Sequence, residues 1–350
     1  MTFEEITEEE FRDFAKKSPY KSFMQTPEIA KYRKENGWTV YYLAARLNSE
    51  IKAASMLVAR PTFLGKSTFI APGGPLLDLE DQPLTEFFMK SLKRYIKSHN
   101  GYVLHISPYY ELTERDRHGD KIEGGFNHQN AVKNLRNLGF LELKEASQPK
   151  YMYALDIKGK TPEELMKDFK SNTRGHIRKA EKMGVKVREL KREELNIFKK
   201  ITESTGERRG FEDKPLKYDE EMYDLFVPRG EAQFLVAEAE NTPMSAAMFM
   251  LYGDEVVYLF SGSDEKYMRD YNAQYELQWH MLKYASEHSF KRYNFYGIHG
   301  LPKDGQTDGV YEFKKGFGGQ VIEMIGTYEL PIDYKFYQLK NFLKKFKKVR

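Results

Sequence analysis

Two stretches of the chain share one pattern of apolar and polar positions. Residues 41–60 read YYLAARLNSEIKAASMLVAR, and residues 234–253 read FLVAEAENTPMSAAMFMLYG. Each is an apolar run, an Asn-centred turn and a second run that opens on paired alanines, which predicts a β-hairpin. Ala44 aligns with Ala237, Asn48 with Asn241, and Ala53 and Ala54 with Ala246 and Ala247. The next elements along the chain are also alike. Residues 84–99 and 275–288 have helical spacing, and residues 102–107 and 292–297 read as strands. The same order of hairpin, helix and strand in both halves predicts a duplicated α/β (α+β) domain. We expect one domain over 1–150 plus 327–350 and the other over 151–326.

That order is similar to the GCN5-related N-acyltransferase fold. Its strand-to-helix loop usually offers bare glycine amides to the pyrophosphate of acyl-coenzyme A. Residues 268–274 (MRDYNAQ) and 81–84 (DQPL) contain no glycine. The fold is therefore expected without the coenzyme A grip, and the acyl donor is expected to be something else.

Composition narrows the chemistry. The 350 residues suggest about two domains, and 40% hydrophobic residues are enough for large cores. There is no cysteine, which excludes disulfides, thiolate nucleophiles and Cys-ligated zinc and fits a reducing, cytoplasmic setting. The start, MTFEEITEEEF, is acidic and is not expected to be a signal peptide. The best uncharged apolar run, near 242–253, falls short of the roughly 18 residues of a membrane span. No P-loop, GxGxxG or GxSxG motif occurs. The eight histidines, His280 and His288 among them, lack ligand spacing, so no metal is expected.

The net charge of +4 conceals two basic patches. Residues 170–188 carry +6 and residues 335–350 carry +7, leaving −9 on the rest. Either patch suits a polyanion. Arg174, Arg178 and Lys182 are four apart and share a face if helical, which makes them candidate tRNA contacts. Phe336, Leu339, Phe342, Leu343 and Phe346 recur at helical spacing among lysines. That segment is expected to pack on the first domain; its alternative is an anionic membrane surface.

Six strings, QTPEIAK (25–31) with Trp38, APGGP (71–75), SNTRGHIRK (171–179), GSD (262–264), Gln278 with Trp279, and VYEFKKGFGG (310–319), carry a resemblance to the Fem family of peptidoglycan aminoacyltransferases. The resemblance covers nearly the whole chain. It implies two acyltransferase-like domains, with the C-terminal segment returning to the first. Only about twenty residues separate Lys214 from Phe234, so the helical arm of several members is not expected, and the chain resembles the armless FemX-like kind.

The activity implied is transfer of Gly, Ala or Ser from aminoacyl-tRNA to a stem-peptide amine, commonly a lysine ε-amino group. The acceptor is a peptidoglycan precursor, either UDP-MurNAc-pentapeptide or lipid II. Aminoacyl-tRNA is a co-substrate and no cofactor is implied. A cytoplasmic enzyme is expected, with possible peripheral contact at the inner membrane face and no stable protein partner.

Amine attack on an ester creates an oxyanion that needs a cation or amide donors, and a proton that needs an acceptor. By resemblance, Lys314 stabilises the oxyanion, and Lys31 and Lys214 meet the acceptor's phosphates. The second of these is an arginine in the family pattern, and lysine lacks its fork. Tyr218 and Tyr102 match substrate-lining tyrosines, and Arg208 is placed in the same cleft. Ser107 stands where the pattern can carry a carboxylate, and a hydroxyl is too weak a base to replace one. The proton acceptor is thus unassigned. Two rivals stay open: an acetyl-coenzyme A-dependent acetyltransferase and a non-enzymatic tRNA-binding protein.

Overall fold

The alternation at 41–60 forms an antiparallel hairpin in the computed structural model, which describes residues 1–144, 148–302 and 308–347. Strand Thr39–Leu47 pairs with Glu50–Pro61 around Asn48 and Ser49, at φ +51° and +69°. Strand Ala232–Ala239 pairs with Thr242–Tyr252 around Glu240 and Asn241, at φ +51° and +58°. Two successive left-handed residues make a tight turn whose twist suits the strands it joins. A bulge interrupts each pairing, after Ala45 and after Ala237.

The repeat exists in the pairing, but one residue out of the expected register. Ala45 faces Ala53 as Ala237 faces Ser245, so Ala45 corresponds to Ala237, and Asn48 to Glu240. The matches Ala44 with Ala237 and Asn48 with Asn241 are corrected accordingly. A slip of one residue exchanges the two faces of a strand. Here residues 42–45 and 53–59 are buried on both faces, so alternation cannot fix the register.

Contacts divide the chain into two units. The first comprises Met1–Glu114, Gly124–Lys150 and Glu323–Arg350; the second comprises Arg115–Glu123 and Tyr151–Ile322. Residues 115–123 thus fall outside the first unit, where the sequence had put them. The Tyr153 and Tyr311 hydroxyls donate to the Arg117 carbonyl, at 3.4 and 2.9 Å. This polar segment has no apolar period to reveal that attachment.

The first unit's sheet runs Thr2–Glu5, Thr39–Leu47, Glu50–Pro61, Ser67–Ala71, Gly101–Ile106, Tyr328–Pro331, Leu141–Glu142. Ser67–Ala71 and Gly101–Ile106 are parallel, with helix Gln82–Ser98 crossing between them. Asp81 caps that helix by accepting from the Leu84 amide, and its buried stripe is Leu84, Phe88, Met89, Leu92 and Ile96. Burying each such side chain stabilises by about 1.5–3 kcal/mol.

The second unit's strands are ordered Tyr151–Asp156, Arg292–Gly297, Glu255–Ser263, Thr242–Tyr252, Ala232–Ala239, Lys186–Glu189. Glu255–Ser263 and Arg292–Gly297 are the parallel pair, joined through helix Ala273–Glu287. Helices Leu195–Arg209 and Leu216–Phe226 are joined by residues 210–215, so no arm projects there. No helix of the described residues is long and apolar enough to cross a membrane.

Helix Tyr334–Lys347 returns to the first unit, as the spacing of its apolar residues suggests. The Phe336 ring lies 4.9 Å from the rings of both Tyr102 and Phe63. The Phe346 side chain and residues 348–350 lie outside the described part.

Candidate active site

The string at 310–319 folds as helix Gly309–Gly316 and the turn that leads into strand Gln320–Met324. Asp308 starts the helix, its Oδ1 accepting from the Tyr311 amide at 2.7 Å. The glycines serve packing. A Cβ on Gly316 would stand 2.4 Å from Thr173 Oγ1, at the head of helix Ser171–Lys182. Gly318 and Gly319 both have φ +85°, and a Cβ on Gly319 would meet the Ala154 carbonyl at 2.3 Å. The block therefore fixes the helix that carries Lys314 tightly against its neighbours.

Lys314 lines a cavity of about 430 Å³ within the second unit. Helix Leu195–Arg209 contributes Thr202, Thr205, Arg208 and Arg209, and strand Glu255–Ser263 contributes Tyr258, Phe260 and Gly262. Gly262 permits the helix to approach, since a Cβ there would lie 2.5 Å from the Ile201 carbonyl. Lys314 is only 6% exposed. Its Nζ donates to the Gly297 and Tyr296 carbonyls, the latter at 3.4 Å. Burial pushes its ammonium down to about 7; Asp308 opposes that shift and Arg209 adds to it. Tyr296 sits at φ +63°, a strained state for a bulky residue, and thereby turns its carbonyl toward the lysine. A buried cation aimed into a cavity can stabilise a developing oxyanion far better than one in water.

The other expected site residues are distributed unevenly. Arg208 shares the Lys314 cavity, and its Nη1 donates to the Ser263 carbonyl at 3.2 Å. Lys214 is exposed, with Nζ 5.9 Å from the Tyr218 ring centroid; Tyr218 in turn meets Phe260 edge-on. Lys31 is an exposed residue of helix Pro27–Glu35 in the first unit, 3.9 Å from Glu35. Tyr102 packs within the first unit. It is 5% exposed, beneath Phe336, with Lys340 Nζ 4.6 Å from its ring centroid. The returning C-terminal helix covers it, which its place beside a strand could not reveal.

Arg174, Arg178 and Lys182 do share a helix, Ser171–Lys182. Arg174 Nη1 donates to the Phe169 and Lys167 carbonyls, while Arg178 and Lys182 are exposed.

Ser107 is 5% exposed, and its Oγ accepts from the Gly73 amide at 3.4 Å. It supports the turn after strand Ser67–Ala71. Ser107→Ala is expected to leave turnover within about twofold of wild type in a transfer assay, because that hydrogen bond is long and worth at most about 1 kcal/mol.

Sequence inspection misses Asp219. It is 2% exposed, one of its oxygens has no hydrogen-bond partner among the described residues, and burial together with the nearby Asp213 pushes it up to about 7. Asp213 lines the cavity and is held by Lys199 at 2.8 Å and Thr202 at 2.7 Å. Among the described residues no three His, Asp or Glu side chains converge as metal ligands.

Comparison with known proteins places this geometry in context. The model of the FemAB family matches residues 6–242 and 229–345. The chain is 29% identical to the aminoacyltransferase FemA of Staphylococcus aureus (strain bovine RF122 / ET3-1), covering 99% of both. That alignment runs over 418 positions, more than the 350 residues here, so the relative carries segments without a counterpart. The crystal structure of FemX matches with a TM-score of 0.82 at 23% identity, over 97% of this chain and 99% of that one. A tandem GNAT protein from the clavulanic acid biosynthesis pathway matches with a TM-score of 0.52 at 10% identity, over 84% and 83%. The two structural matches speak for the fold.

Proposed function

The chain belongs to the FemAB family and is an aminoacyltransferase, and we propose that it transfers Gly, Ala or Ser from aminoacyl-tRNA to the stem-peptide amine of a peptidoglycan precursor. The observation that carries the mechanism is the desolvated Lys314 ammonium in its cavity. The amine of the acceptor attacks the ester carbonyl, the oxyanion forms beside Lys314, and the ribose oxygen leaves. The ester already stores the activation, so no further cofactor is needed. Because the donor is a charged tRNA, the enzyme works in the cytoplasm.

Arg208 lines the same cavity and adds positive potential. Lys31 and Lys214, both exposed, are assigned to the acceptor's phosphates, with Tyr218 beside the second. The tRNA backbone is assigned to helix Ser171–Lys182, chiefly to Arg178 and Lys182, since Arg174 already serves backbone carbonyls. Replacing Arg178 and Lys182 by glutamine is expected to weaken tRNA binding. It should flatten the slope of log K against log salt by roughly 0.7 per lost phosphate contact. An unchanged slope in filter-binding titrations would remove this helix from the interface.

The soluble nucleotide and lipid II remain alternative acceptors, and the C-terminal helix favours contact with the membrane that holds the second. Leu339 is 43% exposed, Phe342 58% and Leu343 43%. Residues 335–350 carry seven basic and no acidic side chains. Such a helix lies in the interface of an anionic bilayer. Serine at 339, 342 and 343 together is expected to abolish co-sedimentation with anionic vesicles while leaving Phe336 docked. Equal sedimentation of the variant would rule out this surface.

A further inference from the structure

One step of the proposed reaction has no protein group assigned to it: the attacking nitrogen must lose a proton. The segments that flank the cavity offer a candidate. Gly297 and Gly309 both line the cavity. His299 stands two residues after the first and Asp308 one residue before the second. Their side chains meet, His299 Nδ1 lying 2.5 Å from Asp308 Oδ2. Asp308 has a second duty, since its Oδ1 caps the helix that carries Lys314. One carboxylate thus orients the imidazole and starts the helix of the buried lysine.

The pair is arranged for proton transfer. Burial raises the Asp308 carboxyl, but the Tyr311 amide and His299 outweigh this and hold it below its usual range, so it is a carboxylate. A carboxylate on Nδ1 fixes the tautomer that leaves Nε2 bare as an acceptor. The imidazole is 75% exposed, so Nε2 is open to an incoming substrate and exchanges protons with water. Asp308 also acts on the Lys314 ammonium, opposing the downward shift that burial causes. The rival carboxylates are less suited. Asp213 is engaged by Lys199 and Thr202, and Asp219 is shut away at 2% exposure.

We propose that His299, oriented by Asp308, is the proton acceptor of aminoacyl transfer at the mouth of the Lys314 cavity, an inference that rests on the aminoacyltransferase reading. The acceptor's ammonium first gives one proton to water. The neutral amine then attacks the ester carbonyl, forming the C–N bond and an oxyanion beside Lys314. The proton now on the nitrogen passes to His299 Nε2. As the carbonyl re-forms, the bond to the ribose oxygen breaks, and that oxygen takes the proton from His299. Amide, free ribose hydroxyl and neutral imidazole result.

The test combines kinetics with a readout that needs no substrate. His299→Gln is expected to lower kcat about 10²- to 10³-fold with little change in KM or thermal midpoint, and to remove the acidic limb of the pH profile. His299→Ala should be partly rescued by added imidazole, because the site is open. Asp308→Asn keeps the helix cap, and in ¹⁵N NMR it should move the His299 ring away from the Nδ1–H tautomer, since an amide donor replaces the carboxylate that accepts from Nδ1. His299→Gln with near wild-type kcat and an intact acidic limb would overturn this proposal alone. So would a His299 tautomer unchanged by Asp308→Asn. A wild-type chain inactive with every charged tRNA and precursor would instead overturn the transferase reading on which it rests.

Discussion

Lys314→Met is expected to lower turnover about 10²- to 10³-fold and, at the same time, to make the protein more stable. The loss comes from removing the buried cation proposed to face the reacting carbonyl, an interaction made chiefly in the transition state. The gain comes from desolvation. In the unfolded chain a lysine titrates near 10.4, whereas in the fold burial pushes Lys314 down to about 7. Between those values the unfolded chain binds a proton that the folded one does not, so stability rises with pH across the window. Below about pH 7 both states are charged, and the full cost of the buried ammonium is present. Methionine of similar length removes that cost, so stabilisation of roughly 2 kcal/mol is expected at pH 6, shrinking toward pH 10. Calorimetry at the two pH values, beside a transfer assay, reads both effects. Since the cation is the active form, kcat/KM should also fall on the basic side of about pH 7. Full turnover in the methionine variant would remove Lys314 from the chemistry.

Gly319→Ala is expected to destabilise the second unit by about 3 kcal/mol or more. The backbone there has φ +85°, which costs a residue with a Cβ roughly 1–2 kcal/mol. The added methyl would also lie 2.3 Å from the Ala154 carbonyl and 2.8 Å from Leu155 Cδ1. Strand Tyr151–Asp156 cannot retreat, because Arg292–Gly297 pairs on its other side. Gly318→Ala is the control. It has the same φ, but its nearest neighbour is the Asp168 carbonyl at 3.6 Å, so a loss of only about 1 kcal/mol is expected. Urea unfolding of the two variants separates strain from collision, and equal midpoints would contradict this account.

These two residues explain what was readable beforehand. Several strings that carry the family resemblance mark close backbone contacts. Gln25 is fully buried; its amide donates to the Met56 and Pro72 carbonyls at 3.1 and 2.7 Å, and its Oε1 accepts from the Met56 amide at 2.8 Å. Gly74 lies against it, where a Cβ would come within 2.6 Å. Such positions tolerate few residue types, so they survive as recognisable strings and reveal a fold well. Hairpin, helix and parallel strand were legible in both halves from their apolar spacing. The hairpin register was not, because strands buried on both faces lose their alternation.

The site was legible only through the family resemblance, which named Lys314 inside one of its strings and Arg208 outside them; both line one cavity. The strained carbonyl of Tyr296, the buried Asp219 and the pairing of His299 with Asp308 arise from tertiary placement. Nothing in spacing or composition distinguishes them. The cover that a distant helix places over Tyr102 arises in the same way.

Acyl transfer from a charged tRNA is proposed to depend on the buried Lys314. The most direct measurement incubates the protein with radiolabelled glycyl-, alanyl- and seryl-tRNA and both soluble and lipid-linked muramyl pentapeptide. The account predicts label on the stem-peptide lysine with at least one donor, and its loss in Lys314→Met. No label on any stem-peptide amine, or transfer from acetyl-coenzyme A instead, would contradict it.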